Sequence, residues 1–551
     1  MALPGGVDLP SDVEAVDTEK LQDLDALEGN LGLVTTHSAG PADNATRQLG
    51  FEFLNPSFSI PQLLQSAGID DPTATAQAVR LHEQYQSPFS WPLHRKIATL
   101  SSPFAAATLA AYSAGAYALA AEPLQRQWNL SPTEYNVGIT LFVSGFAVAP
   151  MILAPVSEAY GRYWVFVGSG VVFFVGTLGC AVTDSYAGML VSRLLTGMGA
   201  SVFATLTGGV VSDVYHKENR NTPMSLYSLV IMVGTGLGPL ISGILVDRAG
   251  WRWIFYIQML LIGTTTLSIL LFFKETRSNI VLQRKCNALN SLMEQYQTSE
   301  TGTGTALVRY QSQTVGQTFD PRIIIRSFAF PMKLLISEPV VFWFSLWASF
   351  AWAILYMQFN SIGIVFRDAY DFDSTQVGAV YTAVIVAATI STALAIAQDP
   401  IMRKIWPQRM ATPEGRLISP SIQSVLLPAG LFWFGWTARP GITWVSPALA
   451  VGACTMGIFS IYLAVFNYLA DTYGTFASSA QAAQSMCRNL TAGIFPLLTH
   501  IILRNLTYPG AGSLLGGLGL LLTAIPWVLS LYGQRIRERS PFAKAVIEMH
   551  H

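Results

Sequence analysis

Charge is scarce in this chain: only 12% of its 551 residues are charged, against about 25% in a soluble domain. That scarcity excludes an ordinary water-soluble globule. A net charge of -1 gives no overall excess of positive charge, and no nucleic-acid partner is expected. Cysteine is sparse as well. Cys180, Cys286, Cys454 and Cys487 have no metal-ligand spacing, and three of them fall in apolar stretches. Neither a disulfide framework nor a zinc site is supported, and no metal is expected. No nucleophiles, histidines or metal ligands cluster at membrane depth, so the sequence does not read as an enzyme and implies no cofactor. No basic segment followed by an apolar stretch opens the chain, and a cleaved signal peptide is not expected.

What the chain has instead is hydrophobicity: 51% apolar residues and a mean hydropathy of +0.41. Windows of about twenty apolar residues fall near 98–121, 136–157, 163–183, 187–212, 223–246 and 252–273. Six more fall near 339–363, 376–398, 420–438, 443–469, 476–503 and 511–532. The expected fold is an all-α integral membrane protein of twelve transmembrane helices in two pseudo-symmetric six-helix bundles, 91–273 and 339–533. A polar connector, 274–338, joins them. Residues 1–90 read as a mostly disordered acidic tail and 534–551 as a short second tail.

Basic residues set the orientation. With both termini on one side, that side holds 21 lysines and arginines outside the tail and the other holds 6: Arg126, Arg248, Arg252, Arg367, Arg439 and Arg504. The positive-inside rule then puts both termini in the cytoplasm. A plasma-membrane location and a monomer embedded in the bilayer are expected.

The two halves echo each other. Ser212-Asp213-Val214-Tyr215 precedes Pro239, and Ala470-Asp471-Thr472-Tyr473 precedes Pro496, with Asp-to-Pro distances of 26 and 25. Glu158 and Arg162 stand four apart, as do Asp399 and Arg403. Matched halves suit a transporter that rocks one half against the other. Between spans two and three, Gly161 permits a tight turn, and Arg162 can reach a carboxylate such as Asp213. Glu158, Gly161, Arg162, Asp213, Asp399 and Arg403 are therefore candidates for a latch on the cytoplasmic side. A solvated surface pair, contributing at most ~1 kcal/mol, is the competing explanation.

The turn Ala154-Pro155-Val156-Ser157-Glu158-Ala159-Tyr160-Gly161-Arg162 resembles the loop motif of the major facilitator superfamily. Its Ser-Glu-x-Tyr-Gly-Arg form looks like that of the fungal twelve-span drug:proton antiporters. In span four, Arg193-Leu194-Leu195-Thr196-Gly197-Met198-Gly199 is similar to the family's Arg-x-x-x-Gly-x-Gly motif. That resemblance implies a role in proton coupling for Arg193. An arginine inside an apolar helix is costly and calls for a polar partner, whereas a snorkelling structural arginine is the plainer alternative. In span five, Gly234, Gly238 and Gly243 are read as one small-residue face bent by Pro239. They resemble the antiporter motif and favour export over import. Similar stretches include Gly250-Trp251-Arg252, Lys274-Glu275-Thr276-Arg277 and Pro413-Glu414-Gly415-Arg416.

No carboxylate sits mid-span in the first helix. Glu122, at its outer end, is the acidic residue set beside Arg193 as a coupling candidate, and His500 in span eleven is a further titratable group. Substrate candidates are Tyr356, Gln358 and Asn360 in span seven, Phe459, Tyr462 and Asn467 in span ten, and Gln481, Gln484 and Arg488 in span eleven. Aromatics with a few amides suit a bulky, mostly apolar ligand with hydrogen-bonding groups. Many of the aromatics could equally face lipid. Gln481, Gln484 and Arg488 share a helix face and are the stronger candidates. Sequons at Asn129 and Asn505 fall on expected external loops.

The expected function is secondary active export of amphiphilic small molecules (drugs, toxins or secondary metabolites) in exchange for protons. Alternatives are a polyamine exporter, which would call for several acids in the spans, and a facilitative importer. A seven-span receptor would not produce a duplicated six.

Overall fold

The structure, a computed structural model, describes residues 50–53, 72–216, 219–300, 308–311, 322–410, 412–473 and 477–537. Helices Leu93–Trp128, Pro132–Tyr160, Arg162–Val182, Tyr186–Val214, Asn221–Ala249 and Arg252–Phe272 form spans 1 to 6. Spans 7 to 10 are Pro339–Tyr370, Ser374–Met402, Gly415–Thr437 and Val445–Tyr473. At 1.5 Å per residue, even the 21-residue helices reach ~32 Å, enough to cross a hydrocarbon core of ~30 Å. The last apolar stretch, Ser479–Ile536, is helical over 58 residues. Unbroken, it would run to ~87 Å. It breaks at Thr507 (φ 59°, ψ 171°), two residues before Pro509, and so makes spans 11 and 12. Twelve crossings result, as the apolar windows predict.

Large apolar side chains on the outside, such as Leu260, Leu271 and Leu531, face where lipid would lie. Within the first half, the backbone of span 4 nearly touches its neighbours. A Cβ at Gly197 would lie 2.0 Å from the Phe142 carbonyl oxygen of span 2, and one at Gly199 would lie 2.3 Å from the Phe173 nitrogen of span 3. Any larger residue would push these helices apart.

The chain divides into two compact units. One comprises all twelve spans, residues 88–277 and 319–551. The other joins residues 1–87 to 278–318. In it, strands Gly50–Phe53 and Val308–Gln311 pair in parallel, Gly50 opposite Val308. Helices Pro72–Gln84 and Ser278–Glu300 belong to the same unit. Residues 50–53 and 72–84 fall in the segment expected to be mostly disordered, and 278–300 and 308–311 in the expected polar connector. A further helix, Arg322–Ser337, precedes span 7 and buries Leu334.

Candidate functional site

Both termini of the span bundle lie at one end, where the basic residues gather. At this basic face, Arg162 opens span 3, and its Nε donates to Asp213 Oδ2 of span 4 at 2.8 Å. Both side chains are buried, 5% and 9% exposed. Ser157 Oγ accepts from Arg162 Nη1 at 3.2 Å, and Arg277 Nη1 stands 3.5 Å from the other Asp213 oxygen. Glu158 is half-buried and adds a nearby negative charge without pairing with Arg162. Glu275, which the sequence does not single out, organises the turn. Its carboxylate accepts from the backbone N–H groups of Arg162, Tyr163, Thr276 and Arg277 at 2.9–3.1 Å. It thus caps the positive end of span 3. Gly161 is required there, because its φ is +98° and a Cβ would lie 2.3 Å from Glu275 Oε2.

In the second half the corresponding partner of Asp471 is Arg416, Nη1 to Oδ2 at 2.7 Å. The offsets 162-to-416 and 213-to-471 are nearly equal, 254 and 258 residues. The side chains of Asp399 and Arg403, the expected counterparts, lie outside the described residues. Between the halves at this face, Arg220 lies within electrostatic reach of Asp471 and Asp213, and the loss of solvent around it lowers its pKa.

The halves meet along a seam that closes at the opposite face. Glu122 of span 1 pairs with Arg367 of span 7 at 3.0 Å and also with Arg126. Arg367 donates in turn to Ser374 Oγ at 3.0 Å. Asp247, ending span 5, accepts from the Thr375 N–H at 2.8 Å and its hydroxyl at 2.6 Å, at the start of span 8. Deeper in, Asn360 of span 7 donates to Asn136 Oδ1 at 3.1 Å, and Asn136 Nδ2 donates to the Pro496 carbonyl at 2.9 Å. Thr140 donates to the Gly493 carbonyl at 2.7 Å, and Asn489 to the Phe146 carbonyl at 3.3 Å. Asn360 is therefore engaged in the seam, and Asn136 is a functional candidate that the sequence reading misses. An amide within an apolar span was the available signal.

The span 5 glycines do not share one face, as the sequence reading has it. Nine residues at 100° each bring Gly243 half a turn round from Gly234. Gly234 and Gly238 face span 1 of their own half, with ideal Cβ positions 2.4 Å and 2.5 Å from the Thr108 and Tyr112 carbonyls. A Cβ at Gly243 would lie 2.3 Å from the Ser374 carbonyl of span 8, and one at Gly378 of span 8 would lie 2.8 Å from the Pro239 carbonyl. Gly236 also faces span 8, 2.7 Å from Ile385 by its ideal Cβ position, so the seam is reached by Gly236, Pro239 and Gly243 and not by Gly234 or Gly238.

Two arginines are buried within the spans. Arg193 has no exposed surface; its Nη1 donates to the Ser113 carbonyl at 3.2 Å and its Nε to the Gly138 carbonyl at 3.4 Å. It lies between the Tyr117 and Phe142 rings, 4.5 Å and 4.2 Å from their centroids. Span 4 is thereby tied to spans 1 and 2. Arg488 of span 11 lies 4.4 Å from the Trp352 ring and 5.2 Å from that of Tyr462, and these rings stack at 5.1 Å. Tyr356 is within electrostatic reach of both arginines. Tyr227 of span 5, within electrostatic reach of Arg488, donates its hydroxyl to the Ala204 carbonyl at 2.5 Å.

The remaining substrate candidates are dispersed. Gln358 is buried inside the second half and borders a small cavity shared with Met357, Ser361 and Leu431. Phe459 is fully buried, Asn467 is half-buried, and Gln481 Nε2 donates to the Phe466 carbonyl at 3.3 Å. The structure gathers Tyr356, Tyr462 and Arg488 and leaves Gln358, Asn360 and Phe459 in packing or seam contacts. Asn129 and Asn505 are both exposed at the opposite face. Among the described residues no group of three or more His, Cys, Asp or Glu is placed to hold a metal ion.

Known proteins resemble this chain. Efflux pump atB of Aspergillus terreus is 32% identical over 412 residues, 72% of this chain and 83% of its own. Efflux pump radE of Floropilus chiversii is 30% identical over 420 residues, 75% of each chain. Multidrug transporter FLR2 of Candida glabrata is 26% identical over 547 residues, 97% of this chain and 87% of its own. Among solved structures, the xylose transporter XylE from E. coli, partially occluded and inward open, aligns with a TM-score of 0.56 at 13% identity. It covers 79% of this chain and 97% of that one, a likeness of fold alone. The family model of the Major Facilitator Superfamily matches residues 104–496, through ten spans and into the eleventh. The chain is a multi-pass membrane transporter of small molecules, and it belongs to the Major Facilitator Superfamily, with fungal efflux pumps among its relatives.

Proposed function

We propose that the chain is a secondary active exporter of amphiphilic drugs, toxins or secondary metabolites that exchanges its substrate for protons by alternating access. It works as a monomer in the plasma membrane with both termini in the cytoplasm, in keeping with its basic face. The observation that carries this reading is the seam between the two halves. Its opposite end is clasped across the halves by Glu122–Arg367 and Asp247–Thr375, while at the basic end each half holds a matched ion pair of its own, Arg162–Asp213 in the first and Arg416–Asp471 in the second. Such paired, breakable contacts at the two ends suit rigid halves that open one side at a time.

The names of the relatives point the same way, as efflux pumps and a multidrug transporter. Arg193 and Glu122 are the coupling candidates. The first is a buried cation tied across three spans; the second is a partly exposed carboxylate at the face from which protons would enter. Glycans on Asn129 and Asn505 would sit on that same outer face.

The test is growth of a pump-deficient yeast host expressing the chain, challenged with chemically diverse toxins and with spermine. Resistance to several amphiphiles, lost when a protonophore collapses the proton gradient, is the expected result. Resistance to spermine alone, or no change in tolerance with the protein at the cell surface, overturns the reading.

A further inference from the structure

Arg488 is a buried cation without a counter-charge. It is 5% exposed, and among the described residues no carboxylate pairs with it. Its Nη2 donates to Ser485 Oγ at 3.3 Å, while its Nε is buried with no acceptor. The Trp352 and Tyr462 rings hold the guanidinium by cation–π contact, which offsets only part of the cost of leaving water. Two further polar groups stand ready beside it. The Gln484 amide, one turn earlier on the same helix face, is 5% exposed and makes no hydrogen bond among the described residues. The Tyr356 hydroxyl, 5% exposed and within reach of both arginines, makes none either.

The wider charge pattern has the same sign. Among the described residues, the buried acids of the span unit, Asp213, Glu275, Glu338 and Glu414, lie at or beyond span ends on the basic face. Midway along the spans the buried charges are two cations, Arg193 and Arg488. A cationic drug or a polyamine would enter a field that repels it. A carboxylate would supply the missing partner and accept the paired N–H donors of the guanidinium fork.

Resting on the exporter reading above, we propose that Arg488, with Gln484 and Tyr356, receives the carboxylate of an amphiphilic organic acid. The Trp352–Tyr462 pair fixes the guanidinium plane and offers apolar surface to the rest of the molecule. The preferred substrates are therefore aromatic or unsaturated organic acids in their anionic form.

The full-length protein in proteoliposomes, supplied with 1-naphthaleneacetate, 1-naphthaleneacetamide and 1-naphthylethylamine, tests this directly. These probes share a ring system and differ in head-group charge. The wild type is expected to move the acid about tenfold or more faster than the amide, with the amine slowest. In R488Q that acid-to-amide ratio falls toward one, and R488K restores part of it. Equal handling of acid and amide by the wild type, a preference for the amine, or an unchanged ratio in R488Q overturns the assignment. Where R488Q does not fold, the wild-type ratio decides. Transport of the amide or amine without preference for the acid leaves the exporter reading standing. No movement of any probe, together with no resistance in the growth assay, removes both.

Discussion

Arg416 donates to the Asp471 carboxylate at 2.7 Å, in the second-half position that Arg162 and Asp213 hold in the first. The two pairs differ in burial. Arg162 and Asp213 are 5% and 9% exposed, Arg416 and Asp471 33% and 11%. Removing one partner of the buried pair strands a charge and costs about 3–5 kcal/mol, whereas a partly exposed pair contributes about 1 kcal/mol or less. D213N should therefore lower the melting temperature in detergent and cut export by more than about tenfold, since each 1.4 kcal/mol is a factor of ten. R416Q should reduce export by about fivefold at most. Equal effects from the two substitutions would mean that burial does not separate them.

The twelve spans, including the eleventh and twelfth, were legible because lipid-facing helices need long apolar windows whatever their neighbours. Arg193 and Arg488 stood out for the same reason, as charges in hydrocarbon. Pairings across the sequence were harder. Arg416 lies 55 residues from Asp471, beyond the reach of any local spacing pattern. The near-equal offsets of 254 and 258 held the signal, but only with spans three and nine already matched. The role of Glu275 is not legible in the sequence, because the span 3 N–H groups it caps, those of Arg162 and Tyr163, lie more than 100 residues away. The span 5 glycines were misjudged by helical phase alone.

Phase has a consequence that can be measured. A side chain at Gly243 would meet the Ser374 carbonyl at 2.3 Å, in the opposite half, whereas one at Gly238 would meet Tyr112 in its own half. G243V should leave each bundle folded and hold the outer end of the seam apart. In a cysteine-free background, S374C should then react several-fold faster with an impermeant maleimide when G243V is added. Unchanged labelling would show that spans 5 and 8 accommodate the extra volume by sliding.

Cys286 offers a test of the unit outside the spans. It is 2% exposed on the helix Ser278–Glu300, and burial raises its thiol pKa to about 11. At pH 7.5 about three thiols in ten thousand would be ionised, and the thiolate is the reactive form. With Cys180, Cys454 and Cys487 replaced by alanine, the native protein should take up little maleimide at pH 7.5. After denaturation Cys286 should label fully. Rapid labelling of the native protein would mean that this helix is not packed as described.

The Glu122–Arg367 pair clasps the outer end of the seam, and its exposure bounds how tightly. The side chains are 44% and 31% exposed, so solvent and salt screen them. A contribution of about 1 kcal/mol or less corresponds to an approximately fivefold shift in the balance between closed and open outer ends. R367Q should therefore alter export by a few-fold without abolishing it, in contrast to the loss expected from D213N. If outer opening limits the cycle, R367Q speeds export, and high salt on the outer side speeds the wild type but leaves R367Q unchanged. E122R places a third cation beside Arg126 and Arg367 and should favour the open outer end more strongly. The exchange E122R with R367E restores opposite charges across the seam and should return export toward the wild-type rate. If the exchange behaves no better than E122R alone, Glu122 acts through something other than this clasp, and its proposed place in proton entry gains the stronger claim.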